Sequence, residues 1–293
     1  MDKVITFSTQ AVSGMFSDAV EVHSGPGMQK TAGSLSPEIE RFIRSIKPHP
    51  DYQYVLMTPQ GSFEFWGANV NGDIFPEAAL SHDMACDDPM PVIQALEEKW
   101  LKPFGKRIPP GSYREFGFRT YENALRYRHH ANKDPDVAYG DIVFVTYNHK
   151  MHRVELISRH DRAKAEKVGA GEIIRDLDNG KPRQISMGCK VPFDVCTVCG
   201  HVSRTTRDYC DHLRYQMGSV LEDGTVVGAV NLFPRFFDLS DVFVPAAKES
   251  GVLMKVASAQ TVKLATKQKA ANLKKETLPN TPSSRFLRLS DSD

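Results

Sequence analysis

The chain has 293 residues, 41% of them hydrophobic and 25% charged, a balance that excludes wholesale disorder and suits one large domain or two small ones. Its 37 basic residues against 36 acidic ones give a formal charge of +1, without the basic excess of a dedicated nucleic-acid or membrane-surface binder. There is no run of about 18 apolar residues, and the opening MDKVITFSTQ lacks the apolar core of a secretory signal, so neither a membrane span nor export by that route is expected.

Residues 1–50 are rich in Ser, Gly and Thr and read as a flexible leader. Within it only Pro37 to Ile46 has helical apolar spacing, with Ser36 as N-cap. A denser domain is expected over 51–258. Tyr52 to Met57 predicts a strand, Asn71-Gly72-Asp73 a turn, and Pro91 to Leu101 a helix. Gly140 to Tyr147 and His152 to Ser158 read as strands joined by a turn over Asn148 to Met151. Arg162 to Leu177 carries two helical stretches broken by Gly169-Ala170-Gly171, and Gly180 stops the second. Gln184 to Val191, Thr225 to Asn231 and Arg235 to Val244 are further strands. From about Ala259 the chain reads as a helical stub running into a disordered basic tail, with seven basic residues against three acidic ones over 259–293.

Of the five cysteines Cys86 stands alone, while Cys189, Cys196, Cys199 and Cys210 fall within 22 residues. An odd total with local clustering suits reduced thiols and a metal better than disulfides. Cys196 and Cys199 form a CxxC pair, and Cys210 with His212 supplies two more ligands, a set that suits a tetrahedral structural zinc in an insertion over about 194–216. Residues i and i+2 do not share a helix face, so Cys210 and His212 should meet the ion from a turn or a helix start. Buried thiols with a chance CxxC are the bland alternative. A zinc finger reading nucleic acid is a weaker one, because no recognition-helix pattern follows Arg204, Arg207 and Arg214. Cys189 is expected to pack in its strand.

Ser186 lies in Gln184-Ile185-Ser186-Met187-Gly188, which lacks the first glycine of a GxSxG elbow. A serine on a strand is usually structural, and it becomes a nucleophile only with a base in hydrogen-bond reach and a group to orient that base. His129, His130, His149 and His152 are the candidate bases, and Cys189 is a weaker candidate nucleophile. No HExxH occurs.

Four segments, in order, resemble the prohead maturation proteases of tailed bacteriophages, serine peptidases related to the herpesvirus assemblins. They are Asn71 to Pro76 with Ala78 to Leu80; His130-Ala131-Asn132 with Gly140; Ile173 to Gly188; and Asp238 to Val242 with Pro245-Ala246. The likeness spans about Tyr54 to Val256. It implies Ser186 as nucleophile, His130 as general base in preference to His129, and Asp238 as orienting acid with Asp241 as runner-up. Along an extended strand Asp238 would point with Phe236, Ser240 and Val242, and Asp241 with Phe237, Leu239 and Phe243, so only one can meet the histidine. Backbone N–H groups near Gly188 would help hold the oxyanion. The run of strand-like segments suggests a β-rich, mostly antiparallel α+β fold, a barrel or strongly bent sheet with peripheral helices, and the resemblance supplies the barrel. The implied substrates are scaffold or core proteins, the N-terminal segment of the major capsid protein, and the chain itself. The implied setting is a procapsid interior assembled in the host cytoplasm, with a homodimer possible and neither membrane nor specific nucleic acid as partner. The cysteine insertion is a departure from compact members and separates Ser186 from Asp238 by 52 residues. A non-catalytic capsid-core protein that keeps the fold and uses the zinc knob in assembly is the alternative.

Overall fold

A computed structural model describes residues 20–22, 30–32, 35–181 and 183–256. The expected tail over 259–293 and most of the leader lie outside the described residues. Among the described residues thirteen strands run in chain order: β1 (Val20–Val22), β2 (Lys30–Ala32), β3 (Tyr52–Thr58), β4 (Asp73–Ile74), β5 (Leu125–Arg128), β6 (Gly140–Asn148), β7 (Arg153–Asp161), β8 (Gln184–Lys190), β9 (Asp194–Cys196), β10 (Val202–Ser203), β11 (Ala229–Asn231), β12 (Arg235–Val242) and β13 (Gly251–Lys255).

Seven of them form the main sheet in the order β13-β3-β7-β6-β5-β12-β8, antiparallel throughout except where β12 runs parallel to β5. The sheet curls into a half-barrel until its two outer strands meet. Ser250 Oγ donates to the Ile185 carbonyl at 2.7 Å, and the Val252 N–H reaches the Arg183 carbonyl at 3.4 Å. The fold is therefore the β-rich, mostly antiparallel α+β arrangement expected from the run of strands. One face carries the apolar core, including Val55, Leu156, Tyr121, Ile185, Phe236 and Leu239. Ile173, Ile174 and Leu177 of the helix Gly171–Asp178 pack into the same core.

The helix Pro37–Ser45 starts at Ser36, whose hydroxyl accepts from the Ile39 N–H at 3.2 Å. It packs on the sheet. Ile39 is fully buried, Phe42 stacks on Phe144 at 4.5 Å, and the Ser36 N–H donates to the buried Glu155 carboxylate at 3.0 Å.

A second, four-stranded sheet, β10-β9-β11-β4, carries the cysteine segment. It is built into the body of the protein, because β11 runs parallel to β4 with Ala229 opposite Asp73. The Asn71-Gly72-Asp73 turn makes this possible. Gly72 has φ 79°, and its carbonyl accepts from the Ala229 N–H at 3.0 Å. The 51 residues between Ser186 and Asp238 thus make an excursion that returns, and β12 then pairs directly with β8.

Two expected strands are shorter than the pattern suggested. Thr225 to Asn231 is regular only over Ala229–Asn231, and β12 stops at Val242, leaving Phe243 and Val244 exposed. β5 and β13 were not anticipated from the sequence.

Candidate functional site

The β8–β12 ladder sets the site. Ser240 stands opposite Ser186, Asp238 opposite Gly188, and Arg235 opposite Lys190. Ile185, Met187 and Cys189 pack toward the core, so Ser186, Gly188 and Lys190 share the other face of β8. Between Phe236 and Asp238 the register shifts by a bulge. That bulge corrects the simple alternation: Phe236 joins Leu239 in the core, and Asp238 does not share its face. Asp238 and Ser240 instead lie on the side of Ser186.

The histidine comes from the turn after β5. His129 and His130 have φ 49° and 56°, the left-handed region that a non-glycine residue enters at a cost of about 1–3 kcal/mol each. The turn is held to β12 by the His129 N–H, which donates to the Asp241 carbonyl at 3.0 Å, and by the His130 N–H, which donates to Ser240 Oγ at 3.1 Å. This backbone aims the His130 ring inward, and Nδ1 meets Asp238 Oδ2 at 2.5 Å. Asp238 is fully buried, while the His130 side chain is 39% exposed. A carboxylate can only accept, so Nδ1 carries the proton and Nε2 is the free basic nitrogen. The same carboxylate accepts from Asn132 Nδ2 at 2.8 Å and from the Ser240 hydroxyl at 2.7 Å. Ser186, 8% exposed, makes no hydrogen bond through its hydroxyl to His130 or to any other side chain among the described residues. The structure thus joins His130 to Asp238 directly and places Ser186 one strand away on the same face.

The other candidates sit elsewhere. His129 stacks on Phe243 at 4.5 Å. Asp241, on the core side of β12, pairs with the fully buried guanidinium of Arg126 and accepts from Tyr139. His149 and His152 flank the turn at the opposite end of β6, roughly 25 Å along the strand from Gly140. There His152 is bonded to Glu77 at 2.8 Å and stacked on Phe65. Cys189 packs against the core, and burial raises its thiol far above the ordinary range, with Asp73 and Asp194 adding to the shift. A thiol held neutral is no nucleophile. Asn132 and Ser240 are partners that sequence reading had not assigned. Their signal was present in His130-x-Asn132 and in the i, i+2 spacing of Asp238 and Ser240.

The cysteine segment closes on itself. The ligand atoms of Cys196, Cys199, Cys210 and His212 all lie within 4.8 Å of one another, an arrangement that could hold a metal ion. Cys196 ends β9, and Gly200, with φ 63°, turns the chain back toward β10 while its N–H donates to the Cys196 carbonyl at 2.9 Å. Cys210 is the N-cap of the helix Asp211–Tyr215, so it and His212 approach from a helix start. Cys199 Sγ and Cys210 Sγ are 3.6 Å apart, far beyond a disulfide bond and close to the edge, about 3.8 Å, of a tetrahedron with metal–sulfur bonds of about 2.3 Å. Burial pushes the Cys196 thiol up to about 12, whereas at Cys210 burial is outweighed by hydrogen bonds from the Leu213 N–H, the Cys196 and Cys199 thiols and the His212 N–H, which draw the thiol below its usual range.

Comparison with protein-family models, curated proteins and solved structures returns no match. Function must therefore be argued from the site's own chemistry.

Proposed function

We propose that this chain is a serine endopeptidase of the prohead-maturation type. The observation that carries the proposal is the His130–Asp238 hydrogen bond at 2.5 Å on the sheet face that also bears Ser186. In this reading Ser186 Oγ attacks the scissile carbonyl. His130 Nε2 takes the hydroxyl proton and returns it to the leaving amine, and Asp238 holds the imidazole tautomer and stabilises the imidazolium. The Ser186–His130 hydrogen bond forms as substrate closes the site, since such contacts are commonly long without it. Asn132 and Ser240 fix the carboxylate, a supporting role that buried catalytic acids require.

The proposed substrates are scaffold or core proteins, the N-terminal segment of a capsid protein, and the chain itself, inside a procapsid. We assign the ion of the cysteine cluster as zinc. Three thiolates and one imidazole fill a tetrahedral shell with no open position, so its role is to hold the knob together.

The test is co-expression with candidate capsid and scaffold proteins and mass spectrometry of new termini. Ser186→Ala should leave a folded protein that generates none. Processing at the wild-type level by that variant removes the serine from the mechanism. A wild-type protein that trims nothing favours the non-catalytic capsid-core reading.

A further inference from the structure

The face that bears Ser186 does not end at Gly188. Two residues on, Lys190 points the same way and stands opposite Arg235, and both are exposed. They open into a cleft of about 540 Å³ whose other charged walls are Arg114, Glu115 and Arg204. Four cations therefore converge there with a single carboxylate. None of the four forms an ion pair among the described residues, and Lys190 lies over the Phe237 ring at 5.1 Å. They come from three separate parts of the chain: the β8–β12 pair, the loop before Phe116, and the residue that follows β10 in the metal-binding knob. In a protein whose overall charge is +1, gathering unpaired cations in a concave site concentrates a positive field that a bound anion would relieve.

We infer that this cleft is a subsite for acidic side chains of the polypeptide substrate. The inference rests on the peptidase reading of Ser186. Four residues of β8 separate Ser186 from Lys190, or about 13 Å at 3.3 Å per residue. A substrate lying extended along this face, with its scissile carbonyl at Ser186, brings residues roughly three to five positions from the cut into the cleft. Lys190 and Arg235 are the specificity-determining residues, and Arg114 and Arg204 widen the field.

The full-length Ser186→Ala protein, which binds without cutting, is titrated against a fluorescein-labelled octaglutamate peptide and followed by anisotropy. Binding should weaken with added salt and fall at least about tenfold when Lys190→Ala and Arg235→Gln are added. Both side chains are exposed, so a melting curve superposable on the parent's shows that the fold is kept. Equal affinity with and without the two changes overturns the subsite, and so does tighter binding of a single-stranded oligonucleotide of matching charge. The peptidase reading fails by a different measurement, namely processing that persists in Ser186→Ala. A subsite that binds the peptide while that reading fails is thereby recognised as a docking site without hydrolysis.

Discussion

Gly188 leaves room for Asp238. A Cβ at position 188 would lie 3.0 Å from Asp238 Cβ and 3.1 Å from Asp238 Oδ2, tighter than ordinary packing allows. The glycine two residues beyond the candidate nucleophile thus has a steric duty toward the candidate acid across the ladder. Gly188→Ala should displace the carboxylate by a few tenths of an ångström and loosen its grip on His130. Misplacement by about 1 Å costs as much as a hundredfold in rate, so a drop of about tenfold in self-processing is expected with only a small fall in melting temperature. Unchanged processing would argue that Asp238 does not orient the base.

The two aspartates of β12 should separate cleanly. Asp238→Asn removes the charge that stabilises the imidazolium and admits the wrong tautomer, which in triads of this design lowers turnover by about 10⁴-fold. Asp241→Asn acts on stability instead. It leaves the guanidinium of Arg126 fully buried without its counter-charge, a loss of about 3–5 kcal/mol. Denaturant melts of both variants, set beside their processing rates, check the division. A destabilised Asp238→Asn with full activity would reverse the roles.

Ser240 is a positioning residue, and its test needs more than a rate. Its hydroxyl donates to Asp238 and accepts from the His130 N–H, so Ser240→Ala strands two polar groups at a cost of about 1–3 kcal/mol. Ser240→Thr keeps the oxygen. Recovery of both stability and processing by threonine, with neither recovered by alanine, is the expected pattern. Full processing by Ser240→Ala would leave the hydroxyl with a folding role alone.

The parts of the fold that sequence reading reached are those with an uninterrupted signal. β6 and β7 are each nine residues long, and Ser36 caps its helix as its residue type suggests, whereas the helix expected from Pro91 begins two residues earlier, as Pro89–Trp100. β5 escaped because Leu125-Arg126-Tyr127-Arg128 alternates charge where a central strand should be apolar. Arg126 is tolerated in the interior only because Asp241, 115 residues away, neutralises it. The metal cluster was legible because its ligands are local, all within 17 residues. The preference for Asp238 over Asp241 came from the family resemblance, alternation saying only that the two point to opposite faces, and the bulge after Phe236 changes which neighbours share the face of Asp238. Asn132 reaches Asp238 from 106 residues away, and no local pattern encodes such a contact.

His160 supplies a pH dependence of known sign. Burial, reinforced by Arg126 and Arg162, holds its pKa well below the ordinary imidazole value of about 6.5. Its Nδ1 is bonded to Gln53 at 3.0 Å, and Nε2 is buried without a partner among the described residues. The folded protein keeps the ring neutral where the unfolded chain would protonate it, so the unfolded state binds more protons below about pH 6.5 and stability declines as pH falls through that value. His160→Gln should flatten this decline. Melting temperatures of both proteins at about pH 7.5 and 5.5 give the comparison, and parallel losses in the two would assign the acid sensitivity to other groups.

Arg204 belongs both to the cysteine knob and to the lining of the basic cleft. Arg204 directly follows β10, the strand paired to β9, whose last residue is Cys196. Purified protein is expected to carry about one zinc per chain. Cys199→Ser should release it, because the remaining ligands cannot complete the shell. Loss of the ion frees the turn at Gly200, packed beneath Phe104, and with it the position of Arg204. Octaglutamate binding should therefore weaken severalfold in Cys199→Ser and in chelator-treated protein, by no more than in Arg204→Ala. Metal content by mass spectrometry and affinity by anisotropy are read on the same samples. A metal-free protein that melts as before and binds the peptide equally well would show that the cluster holds no structural ion and sets nothing in the cleft.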